Sequence, residues 1–356
     1  MSLRSELGLP DLEESPRLQE WRPKMVSAAE LQTREFSEIV AYIDGLVLEG
    51  LSILGGKPKL GKSWWALRAA LAIATGGVAF GNPERIVKQA SVLYLALEDG
   101  EKRLQSRLGM LLVPSEPWPN NLMIVTEWPK FDAGGLDLLA EVIDKDGYRV
   151  VFIDTVGRLR KPRRGRDSYQ EDTNAIAEIH DLRRGRPGLA IVLIHHNRKD
   201  DRPDDYIDAL SGTTGITGVV DHVAVLQRGR GEPDAVLHFT SRDVREHDTA
   251  FKLTDGMWSE LGDATVYEQT KARRLLLYAF DELGGEAKLK ELAEYLGKKP
   301  PTVLSQLIGL EKEGLVRQDG KRGPWKKPTN SANSPNSSEH ELGDLGDLGQ
   351  FWDEEE

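Results

Sequence analysis

The chain has no cysteine. That absence excludes disulfides, thiolate metal sites and a cysteine nucleophile, and it is compatible with a reducing cytoplasm. Long hydrophobic runs are missing too. The longest apolar segment, Trp64 to Phe80, is interrupted by Arg68 and a Gly76-Gly77 pair, and is too short and broken to span a bilayer. The opening MSLRSELGLPDLEESPRLQE has no apolar stretch of the secretory kind, so a cytoplasmic chain with no membrane partner is expected. Basic residues are absent from the last stretch, where residues 331–356 hold eight acids and no Lys or Arg. The net charge of −11 is therefore uneven, since this tail supplies −8 of it. Between Lys271 and Pro328 the balance reverses, with thirteen Lys/Arg against eight Asp/Glu. What is present is ordinary for a globular protein: 356 residues, 39% hydrophobic and 29% charged, enough for one large or two medium domains.

The order of apolar patterns divides the chain. Residues 1–45 read as a polar lead-in with one helix expected around Ala28 to Tyr42. Residues 46–262 then alternate short apolar runs with helical patterns. The runs are Leu51-Leu54, Ser91-Leu97, Asn121-Thr126, Val150-Ile153 and Ala190-Ile194, and the helices fall at Lys62 to Ala74, Glu101 to Leu112, Leu136 to Ile143 and Asn174 to Arg183. Strands without polar alternation, separated by helices, imply an α/β fold with a mostly parallel sheet covered on both faces. After Gly218 the runs Val223-Leu226, Ala235-Phe239 and Ala250-Leu253 are short and alternating, which predicts an antiparallel extension. Residues 270–328 give three short helices and a hairpin, the winged-helix order. Residues 329–356 are polar and repetitive, a composition expected of disorder.

The stretch GGKPKLGKSW fits G-x-x-x-x-G-K-[ST], with a buried strand before it and a helix directly after. In such a loop the backbone N–H groups converge on phosphates at the helix N-terminus. Gly56, Lys57, Pro58, Lys59, Leu60, Gly61, Lys62, Ser63 and Trp64 are thus the expected nucleotide-binding residues. Lys62 would neutralise the terminal phosphates and Ser63 would take Mg2+, making ATP and Mg2+ the expected cofactors. Asp154 ends the run VVFID, where a second magnesium-side carboxylate belongs; an Asp capping a turn is the alternative. Glu98 ends VLYLALED and could polarise the attacking water. The Glu98-Asp99 pair reads equally as a helix N-cap, or the two could divide the roles.

The succession GGKPKLGKS, LALED, VVFIDTVGR and IVLIHHNRK resembles the RecA-fold ATPases of the hexameric replicative-helicase kind, most of all the RepA-like family of plasmids, phages and mobile elements. The resemblance covers about residues 45–260. It implies a RecA-like P-loop core, a hexameric ring, Glu98 as catalytic base and a phosphate-sensing histidine at His196, with Lys199 close behind. It also implies an arginine reaching a neighbour's nucleotide, which falls on Arg228, with Arg242 in HFTSRDV as a second candidate. The RepA pattern has that arginine earlier, where this chain has Asp221.

Directly after Asp154 comes GRLRKPRRGR, six of whose ten residues are Lys or Arg. Arg158, Arg160, Lys161, Arg163, Arg164 and Arg166 suit a phosphate backbone, and single-stranded DNA is the expected partner; a solvated surface is the plainer alternative. The stretch holds no aromatic residue, so base stacking has no support there. The winged helix could read DNA through its basic wing, Arg317 to Lys327, or serve as a protein-binding module. The acidic tail could dock on a protein partner, fold back on the chain's own basic loops, or only solvate. The expectation from these features is an ATP-hydrolysing, ring-forming DNA motor, a probable replicative helicase in kind. Two others stand beside it: a RecA/RadA-like recombination or repair ATPase, and a winged-helix regulator switched by ATP.

Overall fold

The computed structural model describes residues 15–159, 168–195, 215–229, 232, 234–320 and 323–327. These fall into two compact units, divided along the chain between Ala264 and Thr265. No helix among the described residues is long and apolar enough to cross a membrane.

Two short helices, α1 (Pro16–Trp21) and α2 (Ala28–Thr33), precede a hairpin of β1 (Ala41–Ile43) and β2 (Val47–Leu48). The helix expected to run from Ala28 to Tyr42 is therefore much shorter. Ser27 and Glu30 start it with a reciprocal capping box, but Arg34 is already extended and no residue of α2 is buried. An isolated helix of this length has little to hold it without a packed face.

The larger unit is built on unbroken apolar runs. β3 (Gly50–Gly55), β4 (Val92–Ala96), β6 (Val150–Asp154) and β7 (Ala190–Ile194) are buried at every position. Their side chains alternate between two cores with the strand period of two. Leu51, Ile53, Val151, Ile153, Ile191 and Leu193 face one core; Leu54, Val150, Phe152 and Val192 face the other. Helix α3 (Lys62–Thr75), with seven buried apolar residues from Ala66 to Ala74 besides Arg68, and α4 (Glu101–Leu111), through Leu104 and Leu108, cover the second face. Helix α5 (Gly135–Asp146) and α6 (Ser168–Leu182) cover the first through Leu139, Ile143, Ile176 and Ile179. Each such side chain contributes about 1.5–3 kcal/mol by leaving water, and a one-residue slip would send every one to the wrong face.

β5 (Leu122–Val125) closes one end of the sheet. After helix α7 (Gly215–Val219), the strands β8 (His222–Arg228), β9 (Asp234–Ser241), β10 (His247–Thr254) and β11 (Met257–Asp263) build the other. The nine strands lie in the order β11-β10-β9-β8-β3-β7-β6-β4-β5. From β8 to β5 neighbours are parallel, and from β8 to β11 they are antiparallel. The parallel sheet and its antiparallel extension are both as expected, with β11 as a strand the sequence pattern did not single out. The strand carrying the glycine-rich loop, β3, lies between β7 and β8, and β7 separates it from β6. The C-terminal ends of the parallel strands therefore share one edge, where α/β sheets place ligands.

The second unit begins with α8 (Ala264–Glu282), followed by β12 (Glu286–Ala287), α9 (Leu289–Tyr295), α10 (Pro300–Lys312), β13 (Arg317–Gln318) and β14 (Trp325–Lys326). Leu276, Phe280, Leu292, Val303, Leu307, Leu310 and Trp325 form its core. The three strands pair antiparallel in the order β12-β14-β13, giving a winged helix. Wing charge is partly matched within the unit: Lys326 pairs with Asp319 at 2.9 Å and Glu286 at 3.3 Å, and Lys327 with Asp281 at 2.5 Å.

Candidate active site

The site grows from the turn between β3 and α3. At Gly56 the backbone has φ of 152°, and a Cβ there would meet the Leu226 carbonyl oxygen of β8 at 2.7 Å. Only glycine fits. Gly61, with φ of 91°, starts α3 beneath the ring of Trp258, whose Nε1 donates to the Gly61 carbonyl at 2.9 Å. The loop is thus shaped from behind by the antiparallel flank.

Lys62 is buried, and its Nζ donates to the carbonyls of Gly56 at 2.8 Å and Lys57 at 2.9 Å. Burial pushes its ammonium down to about 8, against the opposing pull of Asp154 and Glu98. Asp154, at the end of β6, is also buried, and burial raises its carboxyl above the ordinary range. Ser63 and Tyr94 act in the other direction by hydrogen-bonding the carboxylate, Tyr94 through its hydroxyl to Oδ2 at 3.0 Å. The other carboxylate oxygen, Oδ1, is buried with no hydrogen-bond partner among the described residues. An orphaned carboxylate oxygen beside a serine hydroxyl suits a hard divalent cation such as Mg2+. Among the described residues no three His, Cys, Asp or Glu converge to hold an ion by themselves, so phosphate oxygens would have to complete its shell. The donor set fits a magnesium nucleotide, and the turn-capping alternative for Asp154 does not describe its contacts.

Glu98 follows β4, and its Oε1 accepts a hydrogen bond from the buried Thr155 hydroxyl at 3.0 Å. Arg158 Nε lies 3.9 Å from the same oxygen. The peptide bond between Asp154 and Thr155 is cis. Asp99 points elsewhere. It pairs with Arg103 at 2.7 Å and also with Arg107, whose guanidinium lies over the Trp64 ring at 5.0 Å from its centroid. The N-cap of α4 is Gly100, without a side-chain cap, which corrects the reading of Glu98-Asp99 as a capping pair.

The structure brings Lys62, Ser63, Glu98 and Asp154 to one edge, with Arg158 beside them. Arg228 ends β8 on that same edge, 6.0 Å from the Trp258 ring centroid. Arg242 sits at the opposite edge, where its backbone N–H donates to Asp221 and its Nη2 donates to the Gly218 carbonyl at 2.6 Å. Asp221 is a buried structural anchor there, accepting from Leu51 N at 2.8 Å and pairing with Arg183 at 3.2 Å. His196, Lys199, Arg160, Lys161, Arg163, Arg164 and Arg166 lie outside the described residues.

Sequence reading missed Tyr94, Thr155 and Trp258. Tyr94 had a signal: β4 and β6 pair with Ala96 beside Asp154, and Tyr94, two residues back, faces the same side. Trp258 had none, being 197 residues from the carbonyl it touches.

The AAA domain model (AAA_25) matches residues 15–202, more than half of the chain. A second model, for bacterial regulatory proteins of the arsR family, matches residues 270–318. No curated protein matches the chain. Among solved structures, a helicase ATPase domain aligns with 70% of this chain and 100% of its own at 12% identity, with a TM-score of 0.48. A KaiC-like protein, PH0186, from Pyrococcus horikoshii OT3 aligns with 62% of this chain and 93% of its own, at 14% identity and a TM-score of 0.42. The RadB recombinase covers the same shares at 13% identity, with a TM-score of 0.42. On the family match and the loop geometry, the chain belongs to the AAA domain family, as a RecA-type P-loop ATPase with a C-terminal winged helix.

Proposed function

We propose that this chain is an ATP-dependent DNA motor that works as a ring, a replicative helicase of the RepA-like kind. The observation that carries the reading is the position of Arg158. It opens the basic stretch that follows β6, and it lies 3.9 Å from Glu98, the carboxylate placed to act on water. Hydrolysis chemistry and a phosphate-binding segment thus begin within one contact of each other.

In this reading Lys62 leaves the Gly56 and Lys57 carbonyls for phosphate oxygens, which an ammonium prefers to neutral carbonyls. Ser63 and Asp154 hold the cation. Magnesium, when bound with ATP, offsets negative charge on the phosphates as the terminal group departs. Tyr94 fixes the rotamer of Asp154 through Oδ2, which leaves Oδ1 directed to the ion site. Glu98 orients water and accepts its proton. An arginine from the neighbouring subunit would complete the charge balance. Arg228, on the nucleotide edge, and Arg242, on the far edge, are the two candidates, and each fits a different packing of subunits. His196 and Lys199 would report the state of the phosphate, and the basic stretch from Arg158 to Arg166 would grip single-stranded DNA.

The test is ATP hydrolysis with and without single-stranded DNA, together with unwinding of a forked duplex. Lys62→Ala should abolish both, and closed rings should appear in negative stain with an ATP analogue. Hydrolysis that is absent with and without DNA would sink the motor reading. The arsR-type match of residues 270–318 favours one other reading, an ATP-switched regulator that binds a defined duplex site. On α10 the side facing solvent carries Thr302, Ser305, Ile308 and Lys312, and footprinting of duplex DNA with wing variants at Arg317 and Lys327 separates that reading from the first.

A further inference from the structure

Glu98 does not meet the solvent with both oxygens equivalent. Its Oε1 takes the hydrogen bond from Thr155 Oγ1 at 3.0 Å and stands 3.9 Å from Arg158 Nε. Thr155 is 5% exposed and follows Asp154 directly, so its hydroxyl is fixed by the end of β6. β4 is fixed beside it, because Leu97 N donates to the Asp154 carbonyl at 2.7 Å. Both partners of the contact are thus attached to adjoining strand ends, and the contact is set by the sheet. Arg158 differs from them. Its side chain is 63% exposed and lies on the short 3-10 turn Val156–Arg158 that leads into the basic stretch.

A base must offer a lone pair to the water it activates, and a donor already seated on that oxygen competes with the water. A guanidinium close to the same oxygen favours the bound, charged carboxylate in its present place. We infer that Thr155 is a positioning residue that holds Glu98 in a resting orientation, and that Arg158 links this restraint to DNA. When a phosphate of the DNA backbone takes Arg158, the guanidinium leaves Glu98, the hold is reduced to the single Thr155 hydroxyl, and the carboxylate turns to water. Hydrolysis is then slow until DNA is gripped. No bond is made or broken in the switch itself; one hydrogen bond and one ion contact are exchanged.

This inference rests on the DNA-motor reading for its trigger but not for the restraint, and one experiment separates them. Steady-state ATP hydrolysis is measured for the full chain, wild type, Thr155→Val, Thr155→Ser and Arg158→Gln, each with and without single-stranded DNA. Thr155→Val keeps the shape of the buried side chain and removes the hydroxyl. Its kcat without DNA should rise roughly tenfold, the factor associated with losing one hydrogen bond to a charged group, while KM for ATP stays near the wild-type value. DNA should add little further. Thr155→Ser should behave as wild type, an outcome that a merely structural role for the side chain would not give. Arg158→Gln should raise the rate without DNA and blunt the response to it. The inference is overturned if Thr155→Val keeps the low rate and the full response to DNA, or if it loses hydrolysis in both conditions while still binding ATP. If DNA does not stimulate the wild type, the motor reading and the Arg158 link fail together, and the rate of Thr155→Val without DNA still decides the restraint.

Discussion

Tyr94 and Asp154 are joined across two neighbouring parallel strands by a hydrogen bond of 3.0 Å, with both side chains buried. The phenol is held well above its ordinary value by burial first and by the Asp154 charge second, so it remains a donor at any pH at which the enzyme would work. Asp154 is the group that can titrate. Burial raises its carboxyl, and the donors Ser63 and Tyr94 oppose that rise. Tyr94→Phe removes one of the opposing donors and should raise the carboxyl further. The acid limb of the pH–rate profile should move to higher pH, and more magnesium should be needed for half-maximal hydrolysis. An unchanged acid limb and magnesium requirement would show that Tyr94 only fills space.

Lys62 makes a second pH prediction. Its folded value of about 8 lies below the ordinary 10.5. A lowered lysine value means that the folded chain sheds this proton more readily than the unfolded one, so its contribution to stability becomes more favourable as pH rises from about 8 towards 10.5. Nucleotide phosphates reverse the preference by favouring the ammonium. Binding of ATP at pH about 8.5 should therefore take up a proton, and binding at pH about 6.5 should not. Calorimetric titration in two buffers of different ionisation heat measures the uptake directly. Equal uptake at both pH values would exclude Lys62 as its source.

Glu98 and Asp99 are adjacent and should fail in opposite ways. Glu98→Gln should lower kcat about 100-fold or more while ATP still binds. Asp99→Asn breaks a largely buried pairing with Arg103 and Arg107 and should cost about 1–3 kcal/mol of stability, with hydrolysis retained at temperatures where the chain is folded. Denaturant unfolding and steady-state kinetics of the two variants give the comparison.

Gly56→Ala would drive a methyl group to 2.7 Å from the Leu226 carbonyl oxygen. Loss of ATP affinity of about tenfold or more, with an unchanged far-ultraviolet circular dichroism spectrum, is the expected result. Trp258→Phe is milder. It removes the hydrogen bond to Gly61, worth about 1 kcal/mol, and should weaken ATP binding severalfold.

Trp325 lies in a core separate from that of the ATPase unit. Trp325→Ala should destabilise the winged helix by about 3–5 kcal/mol. Hydrogen exchange should quicken across Leu276 to Trp325 and stay protected in β3, β4, β6 and β7. Protection lost equally in both units would show that they fold as one.

The chemistry at this edge was legible because it is local in the chain. Lys62 and Ser63 belong to one continuous motif, and Glu98 and Asp154 each terminate an apolar run, so strand ends could be counted without knowing how strands pair. The winged helix was legible for a similar reason, since three amphipathic patterns and a hairpin follow one another within residues 270–328. What could not be read depends on pairing at a distance. Thr155 meets Glu98 only because β4 and β6 adjoin, with Ala96 beside Asp154. Trp258 reaches Gly61 only because β10 and β11 fold back towards the start of α3. The helix expected to reach Tyr42 failed for another reason: its local start signal was sound, but no core waits for its face.

The buttress behind the loop separates two kinds of information along the chain. Of the described residues that could touch phosphate, cation or water, all but Arg228 precede the end of β7, while Leu226 and Trp258, which shape the glycine-rich turn, both follow it. A polypeptide ending after β7 would retain the whole reaction alphabet of Lys62, Ser63, Glu98 and Asp154 without the mould that gives it order. Transplanting the chemistry to another scaffold would therefore require residues 222–263 to travel with it, and insertions that lengthen the β10–β11 turn should be felt at the nucleotide before they are felt anywhere else.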